Sequence, residues 1–121
     1  MTSDLRVAIL GAGYIASWHA DAIRATPGAQ LVAVCDPARD AAEALAASYG
    51  IQAFADLDQM IAAQVCDVIH ILTPPNLHRD LAVKCLSAGL HVMVEKPVAL
   101  SVAEVEDMAA AAEAAGRQLG A

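Results

Sequence analysis

The stretch VAILGAGYIASWHADAI, residues 7–23, runs four apolar residues into a Gly11-Ala12-Gly13 turn and then into a segment of helical character. A strand that ends in two glycines and continues as a helix suits a ligand that must approach the backbone closely. Within Gly11-x-Gly13-x-x-Ala16 the demands are separable. Gly11 allows the tight turn, Gly13 lets the main chain approach a pyrophosphate, and the small Ala16 lets helix and strand pack closely. The first helical amides then face the phosphate charge, assisted by the positive end of the helix dipole. Glycines at a strand-to-helix turn are also ordinary turn chemistry, so the triplet needs support from elsewhere.

That support is Asp36, twenty residues beyond Ala16 at the end of LVAVCD, residues 31–36. A carboxylate there can accept hydrogen bonds from both hydroxyls of an adenosine ribose. It also repels a 2′-phosphate, by about 4 kcal/mol at ~4 Å and an effective dielectric near 20. Asp36 therefore favours NAD over NADP. Arg39 is close enough in sequence to blur that preference by pairing with a 2′-phosphate. The alternative for Asp36 is a helix cap beside Pro37, and the two roles are compatible.

Working outward, short apolar runs alternate with helix-period segments along the whole chain. Residues 5–10, 30–35, 51–54, 67–72 and 91–95 read as strands, near-continuously apolar as in parallel sheets covered on both faces. Residues 14–26, 38–48, 57–63, 76–88 and 102–115 read as helices. Asp56 is placed to cap one helix, and Gly89 and Gly116 stand just past two others. Ser101 and Glu104 have capping-box spacing, with Glu104 expected to reach back to the Ser101 amide. The alternation predicts an α/β, doubly wound parallel-sheet Rossmann domain with right-handed crossovers. Arg117-Gln118-Leu119 reads as the start of a truncated sixth strand, which leaves an exposed sheet edge.

Composition agrees. A chain of 121 residues is one domain by length, with 58% hydrophobic and 17% charged residues. Aromatics are only 3%, while 29 alanines let helices lie close to a sheet. A net charge of −7 opposes a nucleic-acid surface. No apolar run approaches a membrane span of ~18 residues. The N-terminus has no basic leader region, and Cys35, Cys66 and Cys85 show no C-x-x-C spacing. The expectation is a cytoplasmic protein with buried thiols. Asp56 and Asp58 have no His or Cys neighbour at a metal-ligand spacing, so no metal is expected.

Two later motifs complete the pattern: ILTPPNLHRDLA at the end of the fourth strand and VMVEKPVAL after the fifth. With GAGYIASWHADAI and VCDP, they resemble the N-terminal half of the Gfo/Idh/MocA oxidoreductases over nearly the whole chain. The resemblance implies that Gly11, Gly13, Tyr14 and Ile15 line the pyrophosphate and that Asp36 holds the adenosine ribose. It implies that Thr73, Pro74, Asn76 and His78 border the cofactor. Glu95 and Lys96 would lie near the nicotinamide ribose, with Lys96 also reaching the substrate as the catalytic proton donor or acceptor. A free lysine titrates near ~10.4, so Lys96 either has its pKa depressed, as burial beside a cationic nicotinamide would do, or acts as a fixed positive donor to a substrate oxygen. His19 is expected either to approach the phosphates or to pack. His70 reads as a satisfied core residue, and His91 as one without chemistry.

The family normally continues into a second α/β domain that holds the substrate, supplies an Asp and a His, and forms the usual dimer surface. The expectation is therefore residues 1–121 as a dinucleotide-binding domain, without that C-terminal substrate and dimerisation domain. Its activity would be oxidoreduction of a sugar, polyol or similar secondary alcohol or ketone, with little turnover by this chain alone. A second chain supplying the substrate domain, or a homo-oligomer, is the expected partner. The alternative is a non-catalytic NAD(H)-binding or interaction module. A methyltransferase would share the glycine turn but gives no reason for Glu95-Lys96-Pro97.

Overall fold

The computed structural model describes residues 4–121; residues 1–3, part of the segment read as lacking a basic leader, lie outside it. Six parallel strands form one sheet in the order β3-β2-β1-β4-β5-β6. In chain order they are β1 Leu5–Leu10, β2 Ala29–Cys35, β3 Gln52–Phe54, β4 Val68–Ile71, β5 His91–Val94 and β6 Leu119–Gly120. The helices are α1 Ala16–Ala25, α2 Arg39–Tyr49, α3 Leu57–Ala62, α4 His78–Ser87 and α5 Val102–Ala115, with a 3-10 turn at Pro75–Leu77 before α4.

The continuous apolar runs divide by strand alternation between two cores. Ala8, Leu10, Ala33, Cys35, Ile69, Ile71, Val92 and Val94 face α3, α4 and α5. Val7, Ile9, Leu31 and Val34 face α1 and α2, where Ala16, Ala20 and Ala46 let the helices lie close. All three cysteines are free and buried, and all three belong to the first core. Burial pushes the Cys35 and Cys66 thiols up to about 11 and that of Cys85 up to about 12.

The sixth strand does form, as two residues in register with β5, Val92 with Leu119 and Met93 with Gly120. His91 has a structural task here, since its Nδ1 accepts the Gln118 amide at 3.0 Å. Asp56 caps α3 by accepting the Asp58 amide at 2.9 Å. Ser101 Oγ accepts the Glu104 amide at 3.2 Å, but Glu104 reaches the Leu100 amide at 2.9 Å rather than that of Ser101. Gly116 ends α5 in the left-handed conformation, φ 63°, as its place after the helix predicts. Among the described residues no helix is long and apolar enough to cross a membrane.

Candidate functional site

The strand order reverses between β1 and β4, and the chain leaves these neighbours toward opposite faces, α1 after β1 and α4 after β4. Ligands of open α/β sheets sit at such a switch point, outside the carboxyl ends of the strands. A row of amides carries the pairing one step past those ends. Asp36 donates to Phe54 O at 3.0 Å and Gly11 to Cys35 O at 2.8 Å. Leu72 donates to Leu10 O at 2.9 Å and Glu95 to Ile71 O at 3.0 Å. This row brings the glycine turn, Asp36, the Thr73 loop and the Glu95-Lys96 turn to one end of the sheet.

Gly11 has φ 110°, and a Cβ there would lie 3.2 Å from the Leu72 carbonyl carbon. Both the turn and the close packing of the β1 and β4 ends thus require glycine. Gly13 differs: a Cβ there would meet nothing within 4 Å, because it would project into open space. Among the described residues the amides of Gly13, Tyr14 and Ile15 donate to no protein acceptor. The N-terminus of α1 has neither a side-chain cap nor an acidic residue in its first turn. Donors without acceptors beside vacant space are what an anion at this turn would need.

Asp36 joins the turn to the second strand. Its Oδ2 accepts the Ala12 amide at 2.7 Å, and its Oδ1 accepts the Ala38 amide at 2.8 Å. The second bond is the local turn role weighed from sequence; the first fixes the carboxylate against the glycine turn. Each oxygen retains a lone pair for a further donor. Below it lies a cavity of about 400 Å³ lined by Gly11, Gly13, Asp36, Pro37, Thr73 and Pro74, with an apolar floor from Leu10, Cys35, Leu57, Leu72, Leu77 and Leu81. Thr73 Oγ1 is buried and has no hydrogen-bond partner. An orphaned hydroxyl in a cleft floored by apolar side chains fits a ligand with a flat ring system and polar edges.

The remaining expected site residues do not line this cavity. Arg39 opens α2 and lines a neighbouring cavity with Glu43, Phe54 and Gln59. Tyr14 is 87% exposed and Ile15 half-buried at the start of α1. Asn76 is exposed in the 3-10 turn. His78 is 1% exposed, with Nδ1 3.0 Å from Val98 O and Nε2 2.7 Å from Thr73 O. Its ring therefore ties the Thr73 loop to the segment after Lys96-Pro97 instead of offering a free nitrogen to the cleft. Lys96 is exposed, so the burial expected to tune it is not supplied by this chain.

Sequence reading missed one cluster. His19 Nε2 lies 2.6 Å from Glu95 Oε2, and His19 Nδ1 lies 3.0 Å from His70 Nδ1. Chiefly this His19 bond, with help from the Lys96 amide, holds the Glu95 carboxyl below the usual carboxylate range. Burial, reinforced by His19, pushes the His70 imidazole down to about 4. His70 is thus hydrogen-bonded but belongs to a polar chain, not to the apolar core. The signal available in the sequence was His19 on the helix that follows the glycine turn.

Comparison with known proteins bears on the chain as a whole. D-glucoside 3-dehydrogenase of Escherichia coli is 38% identical over 120 residues, 98% of this chain and 34% of that protein. The scyllo-inositol 2-dehydrogenase (NAD(+)) of Bacillus subtilis is 35% identical over 106 residues, 86% of this chain and 31% of that protein. The WlbA dehydrogenase of Bordetella pertussis, solved in complex with NADH and UDP-GlcNAcA, superposes with a TM-score of 0.91 at 33% identity. That superposition covers 96% of this chain and 36% of the other. The chain spans about a third of the length of the curated relatives it matches. Residues 5–121 match the family GFO_IDH_MocA, described as an oxidoreductase family with an NAD-binding Rossmann fold, and the chain belongs to that family.

Proposed function

We propose that this chain is the NAD(H)-binding part of an oxidoreductase acting on a sugar, polyol or similar secondary alcohol or ketone. The observation that carries this reading is the convergence of the Asp36 carboxylate, the open space at Gly13 and the orphaned Thr73 hydroxyl on one cleft. The free lone pairs of Asp36 would take the adenosine ribose hydroxyls. The free amides of Gly13, Tyr14 and Ile15 would take the pyrophosphate. Thr73 Oγ1, Pro74 and the apolar floor would border the rings. The relatives named above support the substrate class, since two are dehydrogenases of a glucoside and an inositol.

When bound, the nicotinamide supplies hydride acceptance and donation. Lys96 would hold the substrate oxygen or exchange its proton, and an exposed lysine does this poorly. Hydride transfer also needs the reacting carbon held at ~3–3.5 Å with water excluded. A second chain or second copy closing over Lys96 would supply that wall.

The test is a paired fluorescence titration of the purified chain with NADH and with NADPH. NADH is expected to bind more tightly, and Asp36→Ala to weaken NADH more than NADPH. Tighter NADPH binding would show that Arg39 overrides Asp36. No binding of either, by a folded chain, would refute the reading.

A further inference from the structure

His19, His70 and Glu95 form one hydrogen-bonded chain that nucleotide binding does not explain. His19 stands on α1 and spans two strands, with Nε2 at 2.6 Å from Glu95 and Nδ1 at 3.0 Å from His70 Nδ1. A nitrogen–nitrogen contact of that length requires a single proton between the atoms. Two lone pairs or two N–H groups placed there would repel.

His19 Nε2–H donates to the Glu95 carboxylate, which leaves two self-consistent states. In the first, His19 is neutral and its Nδ1 accepts from His70 Nδ1–H. In the second, His19 is the imidazolium and donates from both nitrogens. His70 must then accept at Nδ1 and carry its own proton on Nε2. Passage between the states balances simply. A proton arrives at His70 Nε2 while the proton of His70 Nδ1 crosses to His19 Nδ1. The proton on His19 Nε2 can then pass to Glu95, so one proton enters and one is delivered.

The ends of this chain lie in different places. His70 pairs in register with Ile9 on one side and Met93 on the other. Ile9 is fully covered beneath α1, whereas Met93 is 38% exposed, so His70 sits where that cover ends. Glu95 stands past the carboxyl end of β5, directly before Lys96. The ionisable groups acting on the chain are its own three members and Lys96, whose charge also favours ionised Glu95.

We propose that His70 and His19 are positioning residues of a proton relay ending at Glu95. The relay links the α1 side of the sheet with the strand end that carries Lys96. This rests on the oxidoreductase reading: reduction of a ketone consumes one proton with each hydride, and oxidation of an alcohol, which releases one, runs the same passage in reverse from Glu95 to His70 Nε2.

The test is imidazole 15N NMR of the chain across about pH 5 to 8, where histidines titrate. His70 is expected to switch from the Nδ1–H to the Nε2–H tautomer with the same midpoint at which His19 gains its second proton. Glu95→Gln is expected to lower that midpoint, because an opposing charge is removed. In His19→Gln, His70 is expected to keep one tautomer throughout. The pH dependence of NADH affinity should follow the shared midpoint and vanish in His19→Gln. Independent titration of the two rings in the unsubstituted chain, or a fixed His70 tautomer, would overturn the relay. Coupled tautomers without NADH binding would leave the proton chain standing and remove the oxidoreductase reading instead.

Discussion

At the scale of single residues, the two glycines of the turn do different work, and substitution separates them. Gly11→Ala must place a side chain at φ 110° and 3.2 Å from the Leu72 backbone, which cannot move without disturbing β4. It is expected to cost about 1–3 kcal/mol, read as a lower unfolding midpoint in denaturant. Gly13→Ala meets no atom within 4 Å and should leave the midpoint within about 0.5 kcal/mol. Its methyl group instead occupies the space beside the free amides, so NADH affinity should fall at least about tenfold. Equal stability losses in both variants would contradict this division. Asp36 was legible from sequence because a carboxylate at the end of the second strand is a local feature with a fixed offset from the turn. The His19–Glu95 contact was not, because its partners are 76 positions apart and meet only once α1 packs back onto the sheet. His78 could be assigned to the loop but not oriented, since its role is set by two carbonyls, one of them on Val98.

At the scale of elements, side-chain caps close two of the five α-helix starts, and among the described residues α1, α2 and α4 have none. α3 and α5 are closed by Asp56 and Ser101 side chains, while α1, beside the cleft, has no side-chain cap. Ser101→Ala is expected to cost about 1 kcal/mol, measured by thermal unfolding, with NADH affinity unchanged. Five strands and five helices were readable because apolar runs and capping residues are local signals. Boundaries shifted by one or two residues, as at α1, where Tyr14 and Ile15 belong to the turn. The two-residue β6 was readable only as a beginning. Its existence depends on pairing with β5 and on the Gln118–His91 bond, not on periodicity. The capping box was also half legible: the serine bonds as its spacing predicts, while Glu104 reaches one residue further back to Leu100.

At the scale of the whole molecule, acid stability and turnover are both open to measurement. An unfolded His70 titrates near 6.5, the folded one only at about 4. Between these values the unfolded state binds the additional proton, so stability should fall as pH drops from about 6.5 toward 4 and level off above that window. Asp67, held low by its bonds from Arg6, adds to the loss at still lower pH, weakly because both groups are largely in solvent. In denaturant melts across that range the unsubstituted chain should lose more stability than His70→Phe as pH falls. Parallel curves would show that His70 is not responsible. With NADH binding but an exposed Lys96, the chain is expected to show negligible oxidation of inositols or glucosides on its own, assayed by NADH formation. The three cysteines carry one more consequence. Cys35, Cys66 and Cys85 all lie in the layer between the sheet and α3, α4 and α5. A thiol-labelling reagent would therefore time the opening of that layer alone. Detachment of α1 and α2 from the opposite face of the sheet would pass without a chemical trace.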